Sequence, residues 1–139
     1  MKKLLTMMVM VGFLVATLVI SSSTASAQEI ARIKADELKK MIESKADLVI
    51  VDTQPKGAYD IGHIKGAINL PWAKDIKDPK KLPKNKLLVL YCDCGHEEDS
   101  IDVATQLMNK WGYSNMKILE GGWSGWMKLG YPTEKGKKK

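Results

Sequence analysis

Two short runs, Leu48-Val49-Ile50-Val51 and Leu87-Leu88-Val89-Leu90-Tyr91, are apolar at every position and end against polar residues. A strand with one wet face alternates apolar and polar side chains. A strand with no polar position is covered on both faces, as a parallel strand between two helical layers is. These runs therefore predict two strands of a parallel sheet buried on both faces.

The segments between the runs agree with that reading. Ile30 to Ile33 is predicted as a short first strand. Ala35 to Glu43 places Leu38, Met41 and Ile42 on one helical face. Gln54 to Asn69 is turn-prone, with Gly57, Gly62 and Gly66 breaking any long helix, and Ala67 to Leu70 is a short strand stopped by Pro71. Residues 74–86 are rich in Lys, Asp and Pro and read as a surface connection with one turn of helix at most. Ser100 to Trp111 carries Val103, Ala104, Leu107, Met108 and Trp111 at amphipathic spacing, with Gly112 as its stop. Lys117 to Leu119 is the last short strand. Gly121-Gly122 is a turn, and Trp123 to Leu129 a final helix closed by Gly130. Strands alternating with helices predict an α/β domain with a mostly parallel sheet.

Residues 1–27 are of a different kind. Lys2 and Lys3 precede an apolar run from Leu4 to Ile20, and Ala25-Ser26-Ala27 has the small-x-small form of a signal-peptidase site. The run is at the short end of what spans a bilayer, about 17 to 25 residues. The expectation is a cleaved signal peptide at 1–27, a domain at 28–134 and a basic tail at 135–139. The mature protein is then periplasmic or secreted, without stable membrane insertion. No Cys near the cleavage point calls for a lipid anchor. The net charge of +6 owes much to Lys135, Lys137, Lys138 and Lys139. Such a run reads as a solvated end, and nucleic acid is not expected as a partner.

Cys92 and Cys94 are the only cysteines. One residue apart, they cannot staple a fold, so they call for a chemical explanation. Cys92 follows the second apolar run and precedes a helix. Ligands gather at the carboxyl ends of strands in such sheets, and a thiol near a helix N-terminus tends toward the nucleophilic thiolate.

Further along the chain stand Tyr59-Asp60-Ile61-Gly62-His63-Ile64-Lys65-Gly66-Ala67-Ile68-Asn69-Leu70-Pro71, then the Cys92 loop, Gly112-Tyr113, Leu119-Glu120-Gly121-Gly122-Trp123 with Trp126, and Gly130-Tyr131-Pro132. In order and spacing these resemble the rhodanese-like domain over nearly all of residues 29–133. The resemblance implies a three-layer α/β domain with a five-stranded central sheet flanked by helices. It also implies a sulfurtransferase in which the Cys92 thiolate takes sulfane sulfur from a donor such as thiosulfate. A nucleophilic acceptor then removes that sulfur from the persulfide. On that reading Asp93, Cys94, Gly95, His96 and Glu97 bind substrate through their backbone N–H groups. The partner is a small sulfur-containing donor or a protein thiol, and no metal or other cofactor is required. His63 and Asp52 are expected to be structural, and Trp123 and Trp126 to pack, with one of the two open to lining the pocket rim.

The chain departs from the family pattern in three ways. The stretch from Cys92 to Gly112 is about three residues longer than usual. The Asp-x-Arg expected after the second strand is Asp52-Thr53-Gln54. Asp93, Glu97, Glu98 and Asp99 crowd the loop, with no Arg or Lys between Tyr91 and Lys110. Charges about 8 Å apart interact by roughly 0.5 to 2 kcal/mol, while a helix N-terminus returns about 0.3 to 1 kcal/mol. Four such acids are expected to raise the thiol pKa and repel thiosulfate. Cys94 stays open between resolving a Cys92 persulfide as a disulfide, joining Cys92 and His96 as a metal ligand, and simple packing. Two alternatives therefore stand beside the sulfurtransferase: a catalytically silent binding module, and a Cys-x-Cys thiol-disulfide or metal-binding protein.

Overall fold

A computed structural model describes residues 29–79 and 81–136. The leader segment at 1–27, Gln28 and the last three lysines of the tail lie outside the described residues. Among the described residues, no helix is long and apolar enough to cross a membrane.

The elements run β1 Arg32–Ile33, α1 Ala35–Glu43, β2 Leu48–Asp52, α2 Lys56–Ile61, β3 His63–Ile64, β4 Ile68–Asn69, β5 Leu87–Tyr91, α3 Glu98–Trp111, β6 Met116–Leu119, α4 Gly122–Lys128 and β7 Thr133–Glu134. Five strands form one sheet in the order β1-β6-β5-β2-β4. Every pairing in it is parallel. The two apolar runs are the neighbouring central strands, paired from Leu48 with Leu87 to Asp52 with Tyr91. Their carboxyl ends are therefore level, and Cys92 leaves the sheet directly beside Asp52.

Alternation along the strands divides the core into two faces. Val51, Leu88, Leu90 and Ile118 pack with Val103, Ala104 and Leu107 of α3. Ile50, Val89, Tyr91 and Leu119 pack with Leu38 of α1 and Trp126 of α4. Two helical layers around one sheet make the predicted three-layer architecture. Each fully buried Leu or Val contributes about 1.5 to 3 kcal/mol through apolar surface removed from water. Gly112 closes α3 at φ 70, a conformation that costs glycine little.

Three local expectations change. A six-residue helix, α2, fits between the glycines of the turn-prone stretch. The basic connection at 74–86 forms no helix among its described residues and is only partly a surface feature. Ile76 and Leu82 are buried against the α3 face. Buried Gln106 of α3 holds this connection, accepting from Ile76 N–H at 2.9 Å and donating to the Ala73 carbonyl at 2.9 Å. The third change is a second, two-stranded antiparallel sheet formed by β3 and β7. It brings the end of the domain back to the Gly62-His63-Ile64 turn, and the Glu134 side chain accepts from Gly66 N–H at 2.8 Å.

Candidate functional site

The site is built where β2 and β5 end together. Thr53 donates to the Tyr91 carbonyl twice, from its backbone N–H at 2.9 Å and from its hydroxyl at 3.0 Å. This clasps the exit of β2 to the last residue of β5. Below it lies a buried polar group. The Tyr91 hydroxyl donates to Asp52 Oδ2 at 2.5 Å and accepts from Ile64 N–H at 3.0 Å. Asp52 Oδ1 accepts from Gln54 N–H at 2.8 Å. Burial pushes the Asp52 carboxyl up, against the pull of the Tyr91 and Gln54 hydrogen bonds. Burial next to Asp52 pushes the Tyr91 phenol far up.

Asp52 therefore shapes the turn after β2, as its place in the sequence predicts. Gln54, standing where the family has Arg, is spent on that turn. Its side chain donates to Asp52 Oδ2 at 3.2 Å, and its carbonyl accepts from Asn69 at 2.9 Å. His63 is structural too. Its Nδ1 lies 2.8 Å from the Tyr59 carbonyl, its Nε2 3.3 Å from Glu134, and its ring stacks on Tyr59.

Cys92 comes next and is 1% exposed. The N-terminus of α4 lies over it, and Trp123 N–H donates to the Cys92 carbonyl at 2.8 Å. Gly122, at φ 49, passes so close that a Cβ there would overlap the Cys92 carbonyl oxygen. On the other side the Ser100 hydroxyl sits 3.8 Å from Cys92 Sγ and donates to the Glu97 carbonyl at 2.9 Å. Cys92 and Cys94 are joined as a disulfide, with their Cα atoms 5.5 Å apart. Cys94 is half-buried, while Asp93, Gly95 and His96 stand exposed.

The acids of the loop are held differently from the sequence expectation. Glu97 does not face the thiol as a bare charge. Arg32, from β1, donates to Glu97 Oε2 at 2.7 Å, and Gly121 N–H donates to Oε1 at 3.0 Å. Burial alone would push Glu97 up, but these two hydrogen bonds and the Arg32 charge outweigh it and hold the carboxyl below its usual range. Asp93 accepts from the Ser124 hydroxyl at 2.5 Å. Glu98 pairs with His96 at 3.3 Å and accepts from His96 N–H at 3.1 Å. Three of the four acids thus have partners, two of them supplied from outside the loop. Only Glu97 is paired with a fixed cation, Arg32, and the expected accumulation of negative charge near the thiol is reduced by that one carboxylate.

Of the loop residues read as substrate-binding, Asp93, Cys94 and Glu97 are drawn against Ser124, Cys92 and Arg32 respectively. Gly95 and His96 form the outer bend. With the two sulfurs bonded to each other and the His96 ring turned to Glu98, Cys92, Cys94 and His96 are not gathered as a ligand set. Beside the loop is a cleft of about 550 Å³ whose lining includes Gln54, Gly62, Asp93, Trp123 and Met127. Trp126 is fully buried, and Trp123 is the one of the two that lines this cleft, as the sequence left open. Sequence reasoning missed Arg32, Ser124 and Gly122 as parts of the site. Each lies 30 or more residues from its partner in the loop, with no local pattern to mark it.

Comparison with known proteins agrees with this architecture. The family model for the rhodanese-like domain matches residues 34–129. Thiosulfate sulfurtransferase GlpE of Coxiella burnetii is 33% identical over 106 residues, covering 76% of this chain and 92% of that protein. The adenylyltransferase and sulfurtransferase UBA4 of Meyerozyma guilliermondii is 28% identical over 89 residues, and there the match spans 58% of this chain and only 20% of the longer protein. Among solved structures, protein BH2092 of Bacillus halodurans superimposes with a TM-score of 0.68 at 26% identity, covering 76% of this chain and 77% of that one.

Proposed function

The chain belongs to the rhodanese-like domain family, and on that premise we propose that it is a sulfurtransferase carrying sulfane sulfur as a persulfide on Cys92. The observation that carries this reading is the placement of Cys92. It directly follows Tyr91, the last residue of central strand β5, which is level with Asp52, and it is fixed between the N-termini of α3 and α4.

In the reduced protein the Cys92 thiolate attacks the outer sulfur of a donor, whose remainder leaves with the electron pair. A thiol acceptor then attacks the outer persulfide sulfur and releases the Cys92 thiolate. The α3 N-terminus favours the thiolate, and its effect is less opposed once Glu97 is paired with Arg32. Asp93 and the Glu98–His96 pair still stand on the exposed rim, so an uncharged organic polysulfide or a protein persulfide suits the site as donor better than the thiosulfate dianion, with a thiol as acceptor. The disulfide must be opened by a thiol before this cycle begins.

The test is steady-state sulfur transfer by the pre-reduced protein, from thiosulfate and from polysulfide, to a thiol acceptor. Turnover with polysulfide exceeding that with thiosulfate, and lost in Cys92→Ser, supports the proposal. No turnover from any donor favours a silent binding module.

We further infer that residues 1–27 are a cleaved export signal and that 28–134 form the working domain, followed by a basic tail at 135–139. The Ala25-Ser26-Ala27 site supports this, and a Cys92–Cys94 disulfide suits an oxidising periplasmic or extracellular compartment. Sequencing the N-terminus of the exported protein checks it, with Gln28 expected first.

A further inference from the structure

We propose that Cys94 resolves the Cys92 persulfide, so that the chain reduces sulfane sulfur to sulfide and ends each such turnover as the Cys92–Cys94 disulfide. The inference rests on the persulfide reading above and names the acceptor for that same site.

Three observations carry it. The two sulfurs are within bonding reach without rearrangement of the sheet or the flanking helices, because they are bonded in this structure. The bond spans a sequence separation of only two residues. Cross-links stabilise a fold chiefly by closing long loops, so one this short adds little to the fold and is better explained by chemistry. The third observation is access. Cys92 is 1% exposed beneath Trp123 and Ser100, whereas Cys94 is half-buried at the mouth of the loop. A large external thiol meets Cys94 first. Cys94 itself already reaches Cys92.

The step balances as follows. The donor, a persulfide R–S–SH, passes its outer sulfur to the Cys92 thiolate and leaves as R–SH. The Cys94 thiolate then attacks Cys92 Sγ, the inner sulfur of the persulfide. The Cys92–Cys94 bond forms, the sulfur–sulfur bond of the persulfide breaks, and the outer sulfur departs as HS⁻ with the bonding pair. The outer sulfur gains two electrons, and the two cysteine sulfurs together lose two. An external dithiol, small or protein-borne, returns them by attacking the more accessible, half-buried Cys94 sulfur and leaves as its own disulfide.

The test is a single turnover. The purified chain is reduced, freed of reductant under anaerobic conditions, and mixed with glutathione persulfide. Sulfide and intact mass are followed in the parent, Cys92→Ser, Cys94→Ser and Cys94→Ala, with Cys92→Ser setting the background. The proposal expects the parent to release one sulfide per chain and to finish two hydrogens lighter, as the disulfide. Both Cys94 variants should retain one added sulfur on Cys92 and release sulfide about tenfold more slowly or less. Two Cys94 variants, each checked by circular dichroism, guard against a single misfolded substitution. A parent that keeps the added sulfur with Cys94 free overturns the inference. So does equal sulfide release with and without Cys94. In both cases the Cys92 persulfide reading stands. Absence of both added sulfur and sulfide in every variant overturns that reading as well.

Discussion

Arg32 Nη1 donates to Glu97 Oε2 at 2.7 Å, joining the first strand of the sheet to the loop that carries Cys92 across 65 residues of sequence. Glu97 is one of two non-glycine residues with positive φ among the described residues, at φ 57. Its carboxylate spans Arg32 and the Gly121 N–H, so the pair holds a backbone conformation that would otherwise cost about 1 kcal/mol or more. Arg32→Ala should lower stability by about 0.5 to 1 kcal/mol, a modest figure because the arginine is half exposed to screening water. The sign with pH follows from the lowered Glu97 pKa. The contribution is full above the ordinary glutamate range and is lost as pH falls through the lower native value. Urea titrations of the parent and Arg32→Ala from pH 7 to pH 3 should therefore converge at the acid end. A constant gap would assign the effect to something other than the ion pair.

Gly122 and Gly121 both have positive φ, but they face different neighbours. A methyl at Gly122 overlaps the Cys92 carbonyl oxygen, while one at Gly121 meets only the Gly125 Cα at 3.5 Å, an ordinary contact. Gly122→Ala should cost about 1 to 3 kcal/mol and displace Cys92. Gly121→Ala should cost about 1 kcal/mol from its backbone alone. Thermal unfolding together with the rate of Cys92 alkylation in the reduced protein checks both. Only Gly122→Ala should change the alkylation rate.

Tyr91→Phe removes the donor to Asp52 Oδ2 and the acceptor for Ile64 N–H, both buried. A loss of about 1 to 3 kcal/mol is expected. Burial already pushes the Asp52 carboxyl up. Stability therefore falls as pH rises from the ordinary carboxylate range through that raised value. Loss of the Tyr91 donor should deepen the fall. Chemical denaturation of Tyr91→Phe and Asp52→Asn, singly and together, should show non-additivity.

Gln106 anchors the connection between β4 and β5 through Ile76 N–H and the Ala73 carbonyl. Gln106→Ala should cost about 1 to 3 kcal/mol, because two backbone groups lose their partner. Gln106→Met keeps most of the volume and should lose nearly as much. Full recovery by Met would attribute the anchor to packing instead.

The parts of this molecule that were legible in the sequence are those written in a local period. The all-apolar runs at Leu48 and Leu87 became the central pair of strands. Helix α1 has the predicted bounds, because Leu38, Met41 and Ile42 leave one register for it. Helix α3 starts two residues earlier than expected, since Glu97 precedes it in a left-handed conformation with no side-chain cap to mark the boundary. Strands β3 and β7 have two residues each, too few for alternation to register, and exist through pairing across the fold. The site divides in the same way. Cys92 at a strand–helix junction can be read from neighbours in the chain. The neutralisation of Glu97 cannot, since Arg32 lies in the first strand. Nor does spacing alone choose among disulfide, metal ligand and packing for Cys94. In the structure its sulfur is bonded to that of Cys92, an adjacency that spacing alone does not reveal.

The central claim is that Cys92 carries sulfane sulfur, and intact-mass spectrometry of the reduced protein tests it most directly. The Cys94→Ser variant, in which no internal thiol can discharge the product, is incubated with polysulfide and digested under non-reducing conditions. The account predicts one added sulfur per chain, located on the peptide containing Cys92. A chain that remains at its starting mass with every sulfane donor offered would contradict it.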